Sequence, residues 1–329
     1  MNPKLHRQFI SCRLSKRTLW APGPHELTPA IIDVLENYRT TFTHRSKEYR
    51  TIYRKTVNLL REVFHIPDDY TPLIFGHTGS YNWEMIAVNT PSGINTIGLD
   101  FGAFSKKWIQ VFQNRGRNIE VLQADWGDGI QPELWKETIS KGHDLALLTH
   151  NETSTGVMLP IEKMCTIARQ VSPKTLIAID GVSIAGAIEI QIDTLQPDYY
   201  LWSLQKDFTI PAIGSVMVVS NRAIETARDV PQRGYVMDLI EWIHHAKTDQ
   251  TPMTVADLTL RCLIARLEEI RDEGAAGFSR HRNLSKIQRE WAKKQGLQLL
   301  ARPGFESPTV TTIFLPESIS GPDFLIAAR

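Results

Sequence analysis

Paired cysteines are missing from this chain. Its three cysteines, Cys12, Cys165 and Cys262, stand far apart, with neither the spacing of a zinc site nor the density of a disulfide scaffold. A reducing, cytoplasmic setting is the expectation that follows. An excess of charge is missing too: 37 Lys and Arg residues face 36 Asp and Glu, for a net charge of +1. So balanced a chain carries no basic field for nucleic acid. No apolar run approaches the roughly 20 residues that a membrane-spanning helix needs. There is no metal-ligand cluster in the spacing, no internal repeat and no low-complexity linker. What is present is apolar material, 42% of 329 residues, enough to fill one large domain and part of a second.

The segment 1–20 is basic and free of acids and runs straight into Pro22-Gly23-Pro24, so we expect an N-terminal arm packed on a partner subunit. Residues 21–250 alternate strand-like and helix-like patterns and read as a large α/β domain with a central, mostly parallel sheet between helices. Residues 251–329 read as a connecting helix and the beginning of a small α+β domain. Helical periodicity recurs over 133–139, 161–170, 237–246, 256–271 and 280–295. The runs 296–300 and 310–315 read as strands, and 323–329 as the start of a helix.

Two strand ends carry the chemistry. Leu176-Ile-Ala-Ile-Asp180 is a buried-strand run ending in a carboxylate, and Tyr199-Tyr-Leu-Trp-Ser-Leu-Gln-Lys206 is a second run ending in a lysine. One crossover fits between them, so neighbouring parallel strands would present both side chains at their C-terminal ends, where open α/β sheets bind ligands. A lysine able to form a Schiff base, beside an acid able to keep a pyridine nitrogen protonated, is what pyridoxal phosphate requires. Either residue alone at a strand end would read as a solvated surface group.

Between a short strand at 72–75 and a helix at 81–89 lies Gly76-His77-Thr78-Gly79-Ser80. Free backbone N–H groups, hydroxyls and the positive end of the helix dipole suit this turn to a phosphate; the plain alternative is an N-cap turn. A third strand, 147–149, runs into the polar loop His150-Asn-Glu-Thr-Ser-Thr-Gly156. Ser46 would cap a helix whose apolar stripe is Tyr49, Ile52, Tyr53, Val57, Leu60 and Phe64.

With Pro22-Gly23-Pro24, Thr78-Gly79-Ser80 and Glu84, Phe101-Gly-Ala-Phe104, His150 to Gly156, Asp180-Gly-Val-Ser183 and Ser203-Leu-Gln-Lys206 in this order, the chain resembles the class V aminotransferases. These are fold-type I pyridoxal phosphate enzymes. His44-Arg45-Ser46, the lead 66–70 and Trp83-Glu84 look most like phosphoserine aminotransferases. Glu152-Thr-Ser-Thr-Gly156 is equally at home in alanine-, serine- or aspartate-glyoxylate aminotransferases.

The resemblance implies an amino group moved between a small, dianionic amino acid and a 2-oxo acid, in a homodimer with shared active sites. It assigns Lys206 as Schiff-base lysine and proton-transfer base, and Asp180 as the partner of the pyridinium nitrogen. Thr78, Gly79, Ser80 and Gln205 would hold the phosphate, Thr153 the ring oxygen, and Phe104 would stack on the ring, unless it is a strand-end core residue. Ser183 and Ser203 fall in the same cofactor blocks. Thr248 and Thr251 match a segment that family dimers lend to the neighbouring subunit's phosphate, or else cap a helix. Gly23, His44 and Arg45 would face the substrate, with Arg45 forking onto an anion; the plain reading leaves His44 and Arg45 as solvated cations. His77 and His150 read as hydrogen-bonded neighbours of the site.

Class V enzymes also carry, in a C-terminal strand and loop, an arginine that clamps the substrate carboxylate, and the sequence up to Arg329 has no counterpart. The small domain is therefore expected to be cut short and transamination weakened. Two other activities fit the fold: a lyase or desulfurase, for which neither Cys165 nor Cys262 is well placed, and a non-catalytic cofactor-binding protein.

Overall fold

The computed structural model describes residues 21–323. The expected N-terminal arm, residues 1–20, lies outside the described residues, as do Cys12 and all but the first residue of the helix expected at 323–329.

Seven strands form one sheet in the order β1-β9-β8-β7-β4-β2-β3. They are β1 (Tyr70–Phe75), β2 (Thr96–Asp100), β3 (Ile119–Gln123), β4 (Leu145–Thr149), β7 (Leu176–Asp180), β8 (Tyr199–Ser203) and β9 (Ser215–Ser220); a separate two-stranded ribbon joins β5 (Asn151–Glu152) to β6 (Val157–Met158). β9 is antiparallel to β1 and β8, and the other neighbours in the large sheet are parallel. β4, β7, β8 and β9 are buried along their whole length, which is why their sequences read as near-continuous apolar runs without alternation.

The two faces bury different residues of the same strands. Ile177, Ile179, Tyr200, Trp202, Val216 and Val218 face one apolar layer, built with helices Lys47–Phe64, Ile161–Val171 and Asp257–Glu273. Leu176, Ala178, Tyr199, Leu201, Met217 and Val219 face the other, built with Gly79–Val88, Ala103–Asn114, Asn221–Arg228 and Leu239–Ala246. Each buried Val, Leu, Ile or Met side chain among them contributes ~1.5–3 kcal/mol by burial.

Helix Lys47–Phe64 starts where expected: the Ser46 hydroxyl accepts from the Tyr49 N–H at 3.1 Å. It ends at His65, in the left-handed region at φ 49°, ahead of Pro67. Arg61 then donates to the carbonyls of Ile66, Pro67 and Tyr70 at 2.7–3.1 Å, fixing the entry into β1.

Two expectations need correction. The helix expected at 280–295 begins at Ala275, directly after a break at Gly274, and ends at Lys294. The strands expected at 296–300 and 310–315 reduce to one antiparallel bridge, Leu299–Ile313. The Ser307 hydroxyl accepts from the N–H groups of Thr309 and Val310, both at 3.1 Å, and so takes donors that a ladder would use.

Candidate active site

The parallel register puts Thr149, Asp180 and Leu201 side by side at the C-terminal edge of the sheet. β7 ends on Asp180, and β8 ends on Ser203, so that Gln205 and Lys206 follow in the turn. Asp180 and Lys206 therefore leave adjacent parallel strands at the same edge. Asp180 is 4% exposed. Its Oδ1 accepts from the Val182 N–H at 2.8 Å and its Oδ2 from the Trp83 indole N–H at 2.9 Å. Burial pushes its carboxyl up to about 7, against the pull of these two donors. Burial lowers Lys206, opposed by the charges of Asp207 and Asp180. Lys206 Nζ donates to the Pro22 carbonyl at 2.6 Å. The 22–24 turn crosses so close above it that a Cβ on Gly23, at φ +93°, would stand 2.6 Å from Lys206 Cδ.

Opposite these groups, helix Gly79–Val88 points its N-terminus into the same space. Thr78 is the N-cap but makes no side-chain cap bond, so its hydroxyl is free for another partner. The Gly79 N–H donates to the Ser203 hydroxyl at 2.6 Å, and a Cβ on Gly79 would meet that oxygen at 2.6 Å and Val182 Cγ2 at 2.7 Å. Glycine lets the helix start lie directly on the ends of β7 and β8. The Gln205 amide oxygen is buried without a hydrogen-bond partner.

A second helix, Ala103–Asn114, begins at the site with Phe104. Its first N–H groups are held by buried Glu152, whose Oε2 accepts from Phe104 and Ser105 at 3.0 and 2.8 Å. Asn151 and Ser183 bond reciprocally, Asn151 Nδ2 to Ser183 Oγ at 3.0 Å and Ser183 Oγ to the Asn151 carbonyl at 2.9 Å.

The resulting cavity, ≈ 160 Å³, is lined by Thr78, Gly79, Ser80, Phe104, Thr153, Asp180, Ser183, Ser203, Gln205 and Lys206, together with Trp83, Thr149, Asn151 and Val182. Thr153, Ser183 and Lys206 also line an outer cavity of ≈ 590 Å³, with His25, Asp207, Gln288 and 309–313 around it. Pyridoxal phosphate has a dianionic phosphate, a ring nitrogen and an aldehyde carbon. The inner cavity offers a helix N-terminus with a free Thr78 hydroxyl, a buried carboxyl and an amine in the corresponding places, so its residues fit the group.

Four candidates are not brought to this cavity. Arg45 spends its guanidinium on the 250–252 loop, donating to Gln250 Oε1 at 2.8 Å and to the carbonyls of Thr251 and Pro252 at 3.0 and 3.2 Å. His44 Nδ1 lies 3.1 Å from the Thr254 hydroxyl. Thr248 donates to the His245 carbonyl at 3.0 Å, and buried Thr251 to that of Met253 at 2.7 Å. His77 stacks between Phe75 and Tyr81, and His150 Nδ1 lies 3.2 Å from the Tyr200 hydroxyl; burial lowers both imidazoles to about 4.

From the sequence Trp83 entered only as part of the resemblance and was given no role at the site, and His25, Gln288 and 309–312 were not singled out for it. For Trp83 a signal existed: it lies one turn beyond Gly79 and so on the face of the helix that carries the turn. Gln288 and 309–312 lie far along the chain and carry no local pattern. Among the described residues no His, Cys, Asp and Glu cluster could hold a metal ion, and no helix is long and apolar enough to cross a membrane.

The sequence profile of the family Aminotransferase class-V matches residues 21–262. An L-aspartate–glyoxylate aminotransferase from Paracoccus denitrificans is 26% identical over 310 residues, covering 92% of this chain and 78% of the relative. A serine–glyoxylate aminotransferase from Arabidopsis thaliana is 27% identical over 320 residues, covering 93% and 80%. The crystal structure of an alanine–glyoxylate aminotransferase from Nostoc sp. superposes with a TM-score of 0.85 at 22% identity, covering 98% and 86%.

Proposed function

Because this chain belongs to the class V aminotransferases, pyridoxal phosphate-dependent transaminases of fold type I, we propose that it passes the amino group of a small amino acid to glyoxylate. The observation that carries the reading is the pair Asp180 and Lys206, delivered by adjacent parallel strands to one cavity with the Thr78–Ser80 helix start. The choice of glyoxylate is supported by the aspartate– and serine–glyoxylate relatives. A small donor is supported by the outer cavity, whose lining among the described residues is rich in hydroxyls, with one amide, and holds no arginine. The finer expectation of a dianionic donor gripped by Arg45 loses ground, since the three bonds of that guanidinium stay within the chain.

When bound, the cofactor supplies an electron sink for the negative charge that builds at the donor's Cα. The chain's residues bind and orient around it. Thr78, the Ser80 N–H and hydroxyl and Gln205 would hold the phosphate, the Gly79 N–H being taken by Ser203; Phe104 would cover one ring face, Thr153 would reach the ring oxygen and Asp180 would face the ring nitrogen. Lys206 would carry the covalent attachment. Its lowered basicity favours the neutral amine, the form that attacks a carbonyl carbon and that accepts the proton leaving Cα. Ser183 and Ser203 act at one remove, through Asn151 and Gly79. In a homodimer, exposed Thr248 would serve the second copy's phosphate from beside the loop that Arg45 clamps, whereas Thr251 is buried with its hydroxyl bonded to Met253. Sedimentation at the mass of two chains, with weaker cofactor binding by an intact Thr248→Val dimer, tests this.

Borohydride reduction of the cofactor-loaded protein followed by peptide mapping is expected to label residue 206. Label on another lysine overturns the site assignment. Half-reactions with serine, alanine, aspartate, glutamate and phosphoserine, each followed by glyoxylate, rank the substrates. The expected order places serine, alanine or aspartate first, and a clear lead for phosphoserine would replace the glyoxylate reading.

A further inference from the structure

Asp180 is held at both oxygens by nitrogen donors, and the two donors differ in kind. Val182 donates from the backbone two residues on, whereas Trp83 donates from a side chain on another element. Trp83 is 5% exposed, so its bond to Asp180 lies away from bulk solvent. Its ring is fixed by the neighbouring Trp108 ring, with centroids 6.0 Å apart and planes 18° apart, on helix Ala103–Asn114. Trp83 also sits four residues, about 6 Å of rise, beyond Gly79 in the Thr78–Ser80 turn. One rigid helix therefore sets both the phosphate end and the nitrogen end of the cavity.

We propose that Trp83 is a positioning residue for proton transfer: its indole N–H holds the Asp180 carboxylate charged and aimed, so that the proton shared with the cofactor's ring nitrogen stays on the ring. The proposal rests on the reading of Asp180 as the partner of that nitrogen. An indole N–H donates and cannot accept, so it favours the anion over the acid. Burial works against the anion, and the other ionisable groups around Asp180 are Glu152, Lys206 and Tyr200, of which only Lys206 favours it. With Val182 on Oδ1 and Trp83 on Oδ2, each oxygen keeps one free direction for the ring N–H. A leucine at position 83 would leave Oδ2 without its donor.

Trp83→Phe keeps an aromatic ring beside Trp108 and deletes only the donor. With 15N-labelled cofactor, the ring nitrogen of the wild type is expected at the protonated shift across pH 6–9 and that of Trp83→Phe to move towards the unprotonated shift within the range. We expect kcat to fall about 10- to 100-fold, the loss of one hydrogen bond to a charged group, with KM little changed. Circular dichroism checks the fold. A wild-type ring-nitrogen shift and wild-type kcat in folded Trp83→Phe overturn the proposal. Independently of that variant's folding, the Trp83 indole 15N resonance of the cofactor-free protein is expected to move in Asp180→Asn, and an unmoved resonance also overturns it. Asp180→Asn in the loaded protein separates the two readings. If it leaves the ring nitrogen protonated, the assignment of Asp180 fails; if it deprotonates the ring while Trp83→Phe does not, only the role of Trp83 fails.

Discussion

A carboxyl buried as deeply as Asp180 couples the cofactor-free protein's stability to pH. Its ordinary value is about 3.9, and burial pushes it to about 7 in the fold. Between these values the folded chain keeps a proton that the unfolded chain has released, so stability falls as pH rises through this window. Asp207, also pushed up to about 7 by burial, acts in the same direction. The melting temperature of the cofactor-free protein is therefore expected to drop from pH 5 to pH 7, and Asp180→Asn to flatten part of that drop. An unchanged slope in the variant, read by calorimetry, would contradict the burial argument. Lys206→Ala should retain the fold and lose turnover by orders of magnitude. At this scale the sequence was legible where a residue ended a strand-like run, as Asp180 and Lys206 do. It was opaque for Trp83, because a tryptophan inside a helical pattern reads as packing and its indole N–H bond depends on a strand end nearly a hundred residues away.

Helices and loops carry a second test. Arg45 precedes helix Lys47–Phe64 and ties it to the 250–252 loop through one side-chain and two backbone oxygens. Arg45→Ala is expected to cost about 1 kcal/mol of stability, a typical net value for hydrogen bonds at a partly wet site, and to change turnover with serine, aspartate and phosphoserine by the same factor. Selective loss with phosphoserine alone would restore the anion fork. The helix itself was readable from its apolar stripe and its Ser46 cap, since both signals are local. The pattern at 310–315 was misleading for the converse reason. The β-branched and apolar run 310–315 read as a strand, but Ser307 captured two N–H groups, and Thr309 donates across to the Ser183 carbonyl at 2.8 Å.

For the molecule as a whole, cofactor binding and folding share one free energy. Pyridoxal phosphate at a hundred times its Kd is expected to add about 2.7 kcal/mol to the stability of the folded state, and Lys206→Ala to keep only the non-covalent share, both read as shifts in Tm. The α/β class was legible from buried runs and polar strand ends; the order of the strands was not, because which run lies beside which is decided by packing far along the chain. That order has a consequence for synthesis. β1 is the first strand of the large sheet to leave the ribosome, and its sole partner in the sheet, β9, is the last. At ordinary elongation rates Tyr70–Phe75 waits on the order of ten seconds for Ser215–Ser220. Throughout that wait the nascent chain presents an apolar, unpaired edge, a template for association with other chains. Nascent chains arrested before Ser215 should therefore bind chaperones far more than chains arrested well beyond Ser220, and the step between the two lengths marks the moment the sheet closes.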